Sequence, residues 1–293
     1  MEIVKPFVKW AGGKNSLIPQ LTKYYPIELK NGNIEIYVEP FVGGGAVLFW
    51  ILQTYPNIKR AIINDINAEL ICTYRVIQNN VEDLICLLAR IQEQYISLNT
   101  EERKEYFLEK RKLFNSKKCS DVETAALFIF LNRTCFNGLY RVNSKGEFNV
   151  PHGRYTNPKI CDKENLTAVS RLLQKVEILC GDFEQTEKYA GNNSIFYLDP
   201  PYKPLSETSS FTSYTKDGFN DAEQVRLRDF CTRISRQKTQ FIASNSDPIE
   251  SAGISFFEQI YRQFKIKRVF ATRLINADPE KRGLVSEIMI SNV

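Results

Sequence analysis

A chain of 293 residues has room for one large domain, or for a core domain carrying an insertion. Its 43% hydrophobic and 25% charged content is that of a soluble globular protein; no apolar run reaches the roughly 18 residues of a membrane-spanning helix, and the opening Met1-Glu-Ile-Val-Lys-Pro6 lacks the apolar core of a signal peptide, so a cytoplasmic protein is expected. The net charge of +5 is unevenly spread: residues 130–175 carry eight basic side chains (Arg133, Arg141, Lys145, Arg154, Lys159, Lys163, Arg171, Lys175) against Glu147, Asp162 and Glu164, an excess that fits either a nucleic-acid footprint or an ordinary solvated surface.

The apolar Phe7-Val-Lys-Trp10 leads into Ala11-Gly-Gly-Lys14, and a helix is predicted over 16–25, capped by Asn15 or Ser16. A strand over 34–41 precedes Gly43-Gly44-Gly45, a helix covers 46–54, and a second strand over 60–66 ends in Asn64-Asp65. This strand, glycine loop, helix, strand, acid order is that of a mononucleotide-binding half. Residues 68–170 break the alternation. They read as helices over 81–98, 101–115 and 122–135, then a polar segment whose alternation around Ser144-Lys145-Gly146 predicts a β-hairpin. Strand signals resume at 176–180, 194–198 and 240–244, and 266–271 with 284–291 would close the sheet as an antiparallel edge pair. The expected fold is α/β: a Rossmann-like, mostly parallel sheet of seven strands with an antiparallel edge strand. Residues 1–67 and 171–293 would form the catalytic domain. Residues 68–170 would be an inserted, mainly helical domain containing the hairpin.

The densest chemical signal is Asp199-Pro200-Pro201-Tyr202, directly after the apolar run 194–198. An acid at the C-terminal end of a buried parallel strand lies where open α/β sheets bind ligands, and the prolines stop the strand and stiffen the loop. The site offers a carboxylate, a fixed carbonyl and a ring, which suits a flat molecule bearing an amino group. Asp199 and the Pro200 carbonyl can both accept hydrogens from an adenine amino group, drawing its nitrogen toward tetrahedral geometry, while Tyr202 stacks on the base. Asp199 need not be a strong base, because a methylated ammonium loses its proton readily. Asp65, about twenty residues past the glycine loop, fits an acid that grips ribose hydroxyls. Glu39 before the loop would repel a pyrophosphate and attract an ammonium group. A cofactor with a ribose and a cationic amino-acid tail is S-adenosylmethionine. Seven scattered cysteines without a Cys-x-x-Cys pair, and His152 as the only histidine, leave no metal site or disulfide framework to expect.

These motifs, in this order, resemble the Dam-type DNA adenine methyltransferases, whose cofactor motifs precede the target-recognition insertion and whose DPPY follows it. The resemblance runs nearly end to end: Phe7-Val-Lys-Trp-Ala-Gly-Gly-Lys14, Val38-Glu-Pro-Phe-Val-Gly-Gly-Gly-Ala46, Asn64-Asp-Ile-Asn67 and Asp199-Pro-Pro-Tyr202. It implies that Trp10, Lys14, Asp65 and Asp199 contact the cofactor, with Asp182 and Phe183 flanking its adenine. The segment 131–155 resembles the family's reading region on double-stranded DNA. There Leu139 and Arg141 would meet base edges, and Phe136 and Asn137 would wedge beside the extruded adenine. The resemblance also implies that Lys9 reaches a flanking guanine, that Asn143, Asn149 and Arg154 hold phosphates, and that Pro151 belongs to the DNA-binding set. The segment looks most like that of members that methylate GATC, although relatives with other short targets share parts of it, and some members act beside a cognate restriction endonuclease. Two positions depart from the pattern: His152 stands where an aromatic is expected, and residues 276–283 differ from the loops of some relatives.

Three other readings compete. A methyltransferase for RNA or a protein amide is disfavoured because many amide-modifying relatives carry Asn where this chain has Asp199. A DNA-binding protein without catalysis would need a defect in an intact DPPY. A Rossmann oxidoreductase is opposed by the Gly-Gly-Gly loop, which is not G-x-G-x-x-G.

Overall fold

The computed structural model describes residues 3–14, 17–203, 219–247, 255–272 and 284–293. The expected cap at 15–16 and the segment 276–283 lie outside them. Seven strands form one sheet: β1 (Ile36–Glu39), β2 (Arg60–Asp65), β3 (Val176–Cys180), β4 (Ser194–Leu198), β5 (Gln240–Ser246), β6 (Lys265–Thr272) and β7 (Leu284–Ser291), in the order β3-β2-β1-β4-β5-β7-β6. β1 pairs parallel with both β2 and β4, and β4 pairs parallel with β5. β7 runs antiparallel to both β5 and β6, so the expected antiparallel pair closes that end. All five residues of β4 are buried, as expected for a continuous apolar strand with neighbours on both edges and both faces covered. Pro200 and Pro201 then end it at Asp199.

By its internal contacts the chain divides into two compact units, each assembled from three stretches. One comprises Met1–Gly13, Val42–Thr54 and Asn64–Asp182; the other comprises Lys14–Phe41, Tyr55–Ile63 and Phe183–Val293.

The first unit holds α3 (Ala46–Thr54) and the helices α4 (Ala68–Asn79), α5 (Val81–Ser97), α6 (Thr100–Asn115), α7 (Asp121–Thr134) and α8 (Lys163–Leu173). Capping boxes start α6 (Asn99 with Glu102) and α7 (Ser120 with Glu123), satisfying the first amides reciprocally. α7 is buried from Ala125 to Asn132, and α4, α5 and α6 pack around it.

The second unit holds the short α1 (Ile18–Leu21) and α2 (Ile27–Lys30), then α9 (Asp221–Arg236) and α10 (Phe256–Ile260). The helix expected over 16–25 shrinks to α1. Thr22 Oγ1 donates back to the Pro19 carbonyl at 2.7 Å, and Pro26 disfavours helical backbone at Tyr25. β1 is shorter than expected because Pro40 has no amide to extend the ladder, while the Ile34 amide bonds the Glu28 carbonyl.

The hairpin expected around 144–146 forms as a short one: Val142 and Phe148 bridge antiparallel, the Asn143 amide donates to the Glu147 carbonyl and the Asn149 amide to the Arg141 carbonyl. The Asn143 side chain accepts from the amides of Lys145 and Glu147, closing an Asx turn. Asn115 of α6 takes both the amide and the carbonyl of Phe148, which face away from Val142. Among the described residues, no helix is long and apolar enough to cross a membrane.

Candidate active site

In the second unit, β4 delivers Asp199 to its C-terminal end. Asp199 Oδ1 receives the Lys14 ammonium at 3.0 Å and the Ser244 hydroxyl at 2.9 Å. Ser244 lies on β5, and its Oγ is also 3.2 Å from the Tyr197 hydroxyl. Lys14 is almost fully buried, and its Nζ sits 4.3 Å from the centre of the Tyr202 ring. A buried ammonium is thus matched by a carboxylate on one side and a π face on the other. The Tyr202 hydroxyl donates to Glu287 on β7 at 2.7 Å, and burial, followed by the Asp199 and Glu287 charges, pushes its phenol pKa well up.

The loop after Asp199 is held in place by three further contacts. Gln224 of α9 donates to the Pro201 carbonyl, Asn245 accepts from the Lys203 amide, and Ser246 Oγ donates to the Lys203 carbonyl. Lys14, Asp199 and Tyr202, expected as site residues, therefore come together around Pro200, joined by Ser244, Asn245, Gln224 and Glu287. Glu39, which ends β1, is buried and accepts from the Tyr37 hydroxyl at 2.7 Å. Phe183, expected beside a nucleobase, packs with Phe41 and Phe219, and the Arg226 guanidinium lies 4.5 Å from its ring centre.

The first unit contains the glycine loop and Asp65. Asp65 Oδ2 accepts from the Gly43 amide at 3.0 Å and Oδ1 from the Asn67 amide at 2.9 Å. Burial raises its pKa, and the amides of Asn67, Gly43 and Ile66 work against that rise. Three amide donors leave part of the carboxylate's acceptor capacity for hydroxyl donors. The glycines are required by packing as well. Gly43 (φ +49°) and Gly45 (φ +75°) have left-handed backbone. A Cβ on Gly43 would lie 2.8 Å from the Trp10 indole, and one on Gly45 would lie 2.4 Å from the Tyr74 hydroxyl. Trp10 therefore covers the loop, and Tyr74 donates to the Gly43 carbonyl at 3.0 Å.

The same unit gathers the residues expected to meet DNA. Asn132, buried in α7, accepts from the Lys9 amide at 2.8 Å and donates to the carbonyls of Lys9 and Gly138 at 2.8 and 3.0 Å. Gly138 has no room for a side chain because the Lys9 stem lies where a Cβ would be, 2.4 Å away. Lys9 Nζ ends 4.5 Å from the Tyr155 ring centre. Phe136 is 53% exposed, a large apolar ring left on the surface. Its neighbour Asn137 has left-handed backbone (φ +55°), a conformation that Asn tolerates and most residues avoid.

Arg141 is exposed, and its Nε donates to Asn149 Oδ1 at 2.8 Å. Asn143 serves its own turn and also donates to Glu147. Leu139 is half-buried, while Pro151 and Arg154 are exposed. His152 faces inward: its Nε2 is 2.7 Å from the Tyr95 hydroxyl, and its ring packs on Phe107. Burial, with Arg103, Lys104 and Arg154 nearby, lowers its pKa. Among the described residues, no group of three or more His, Cys, Asp or Glu could hold a metal ion.

The model of the D12 class N6 adenine-specific DNA methyltransferases matches residues 10–275. The chain belongs to this family. It is 51% identical over 292 residues to the type II methyltransferase M.MjaIII of Methanocaldococcus jannaschii, covering 99% of both chains. It is 41% identical over 294 residues to the type II methyltransferase M1.LlaDCHI of Lactococcus lactis subsp. cremoris, covering 99% of this chain and 95% of the relative. With the DNA adenine methylase of Haemophilus influenzae it shares 36% identity over 288 residues, covering 97% and 92%. The chain is an adenine-specific DNA methyltransferase of the D12 class, and DNA is what it acts on.

The sequence alone missed Ser244, Glu287, Gln224 and Asn132. A lone Asn directly after the apolar run 125–131 of α7 is a usable signal, since a buried amide must find partners. Nothing in the spacing pairs Ser244 with Asp199 or Glu287 with Tyr202.

Proposed function

We propose that this D12 methyltransferase transfers the methyl group of S-adenosylmethionine to the exocyclic amino nitrogen of adenine in duplex DNA at GATC, with the adenine turned out of the helix. Asp199 carries the reading. Its Oδ1 is fixed by Lys14 and Ser244 at the end of a fully buried strand. Among the described residues, its Oδ2 has no protein partner. A fixed carboxylate and the Pro200 carbonyl suit the two hydrogens of an amino group, and drawing on them turns the nitrogen lone pair out of ring conjugation. The donor group supplies an electrophilic methyl carbon on a charged sulfur. The chain's own contribution is orientation and a negative charge where positive charge develops. Tyr202 contributes a ring face for the base, as aromatic rings do for extruded nucleotides.

The acids fit the donor's chemistry. Glu39 is buried and accepts from the Tyr37 hydroxyl, and its negative charge suits a cationic amine. Asp65 has both oxygens anchored by amides and acceptor directions left for ribose hydroxyls. Trp10 and Lys14 complete the cofactor set. Residues 68–170 act as the target-recognition insertion. Arg141 and Leu139 read base edges, Lys9 reads a flanking guanine, Phe136 and Asn137 fill the space beside the extruded adenine, Asn143, Asn149 and Arg154 contact the backbone, and Pro151 belongs to the DNA-binding set. The likeness to two type II methyltransferases supports a restriction endonuclease of the same target as a partner, acting separately.

The test is incubation with tritiated S-adenosylmethionine and unmethylated plasmid, followed by mapping of the modified adenines. Label at GATC adenines is expected. Asp199→Ala should remove transfer while DNA binding survives. Label outside GATC would sink the target assignment, and equal loss of binding and transfer in Asp199→Ala would sink the catalytic one.

A further inference from the structure

We propose that Tyr140 is a positioning residue through which the DNA-reading segment and the cofactor loop set each other's affinity. The inference rests on the reading above, in which Trp10 and the glycine loop serve the methyl donor and Arg141 reads the target. Tyr140 immediately precedes Arg141, yet it points the other way and is buried. Its ring stacks on Trp10, with centroids 5.7 Å apart and planes inclined by 22°. The Trp10 side chain also presses on the loop: a Cβ on Gly43 would meet the indole at 2.8 Å, and one on Gly44 would meet the Trp10 Cβ at 3.0 Å. Gly43 in turn donates to Asp65. One continuous stack thus runs from the residue beside Arg141 to the carboxylate assigned to the ribose.

Further contacts stiffen it. The Tyr140 hydroxyl approaches Glu69, at the start of α4, at 3.5 Å. Asn132 bonds both backbone groups of Lys9, the residue before Trp10, and the Gly138 carbonyl as well. The Tyr140 ring also contacts Phe128 and Phe148. Displacing Arg141 toward a base edge therefore shifts the indole against a loop with no slack. Close-packed rings transmit such a shift and do not absorb it. The effect must be reciprocal: bound duplex changes cofactor affinity, and bound cofactor changes duplex affinity by the same factor.

The experiment closes a thermodynamic box with S-adenosylhomocysteine and a short duplex containing GATC. Affinities are measured for each ligand alone and in the presence of the other. The wild-type chain should show a coupling factor of about 5- to 150-fold. Tyr140→Leu should bring it to within about twofold of one, and Tyr140→Phe, which keeps the ring, should keep most of it. In turnover, Tyr140→Leu should raise KM for the methyl donor on DNA with kcat held within about twofold. An unchanged factor in Tyr140→Leu, or a factor of one in the wild type, overturns the proposal.

A second measurement does not depend on that variant folding. The chain has two tryptophans, Trp10 and Trp50. In Trp50→Phe, duplex added without cofactor should shift the emission of Trp10, and unchanged emission overturns the proposal. Absence of methyl transfer to DNA in the wild type would defeat the parent reading. Normal transfer with coupling intact in Tyr140→Leu would defeat this inference alone.

Discussion

Ser244 shows how a residue without chemistry of its own can govern a catalytic one. Its hydroxyl is one of two donors that fix Asp199 Oδ1. Removing a hydrogen bond to a charged acceptor costs about 1.5–3 kcal/mol. Ser244→Ala should therefore lower kcat about tenfold with little change in KM for DNA, as single-turnover kinetics would register. Asp199→Asn removes the charge itself and should cost about 10²–10³-fold, the scale of losing one transition-state contact. His152 has a different consequence. Its pKa is lowered in the native state, so as pH falls the unfolded chain takes up the proton first. The stability it lends is present above its ordinary value of 6.5 and is lost as pH falls through the native pKa. Between pH 7.5 and 5 the urea midpoint should drop more steeply for the wild type than for His152→Phe. Equal slopes would place the pH dependence elsewhere.

Elements differ in how far their own residues determine them. β3, β4 and β7 match their predicted bounds because short apolar runs between polar breaks leave little choice. α6 and α7 begin within a residue of prediction because Asn99-x-x-Glu102 and Ser120-x-x-Glu123 are local signals. The hairpin is legible from its turn residues, but the capture of its outer edge by Asn115, a residue 33 positions away, is not. The site divides in the same way. Asp199-Pro200-Pro201-Tyr202 is legible as contiguous chemistry at a strand end, whereas Ser244 and Glu287 stand 45 and 85 residues from their partners. The glycine loop was legible as a loop, but the demand of Trp10 and Tyr74 for its space was not. That demand can be measured. Gly45→Ala places a Cβ 2.4 Å from the Tyr74 hydroxyl, while Gly146→Ala, at nearly the same φ, meets nothing within 4 Å. Gly146→Ala should cost about 1–2 kcal/mol, the price of left-handed backbone alone, and Gly45→Ala clearly more by chemical denaturation. Equal costs would mean that the loop can yield.

At the scale of the whole molecule, charge and chain path matter most. The excess of basic residues over 130–175 accounts for as much positive charge as the entire chain carries net. The logarithm of DNA affinity should fall linearly with that of salt concentration, by about 0.9 per phosphate neutralised. Changing the exposed Lys145 and Arg154 to Gln should flatten that slope by about two while leaving sequence preference alone. An unaltered slope would assign the footprint to other residues.

The central strand also arrives late. β4 lies between β1 and β5, yet everything from Ile66 to Asn193 must be synthesised between β2 and β4. On the ribosome, the nascent β1–β2 ribbon therefore waits with an open, adhesive edge while the helical stretch emerges and condenses first. Slow translation or chaperone depletion over that interval would leave the ribbon to find a partner in another nascent chain.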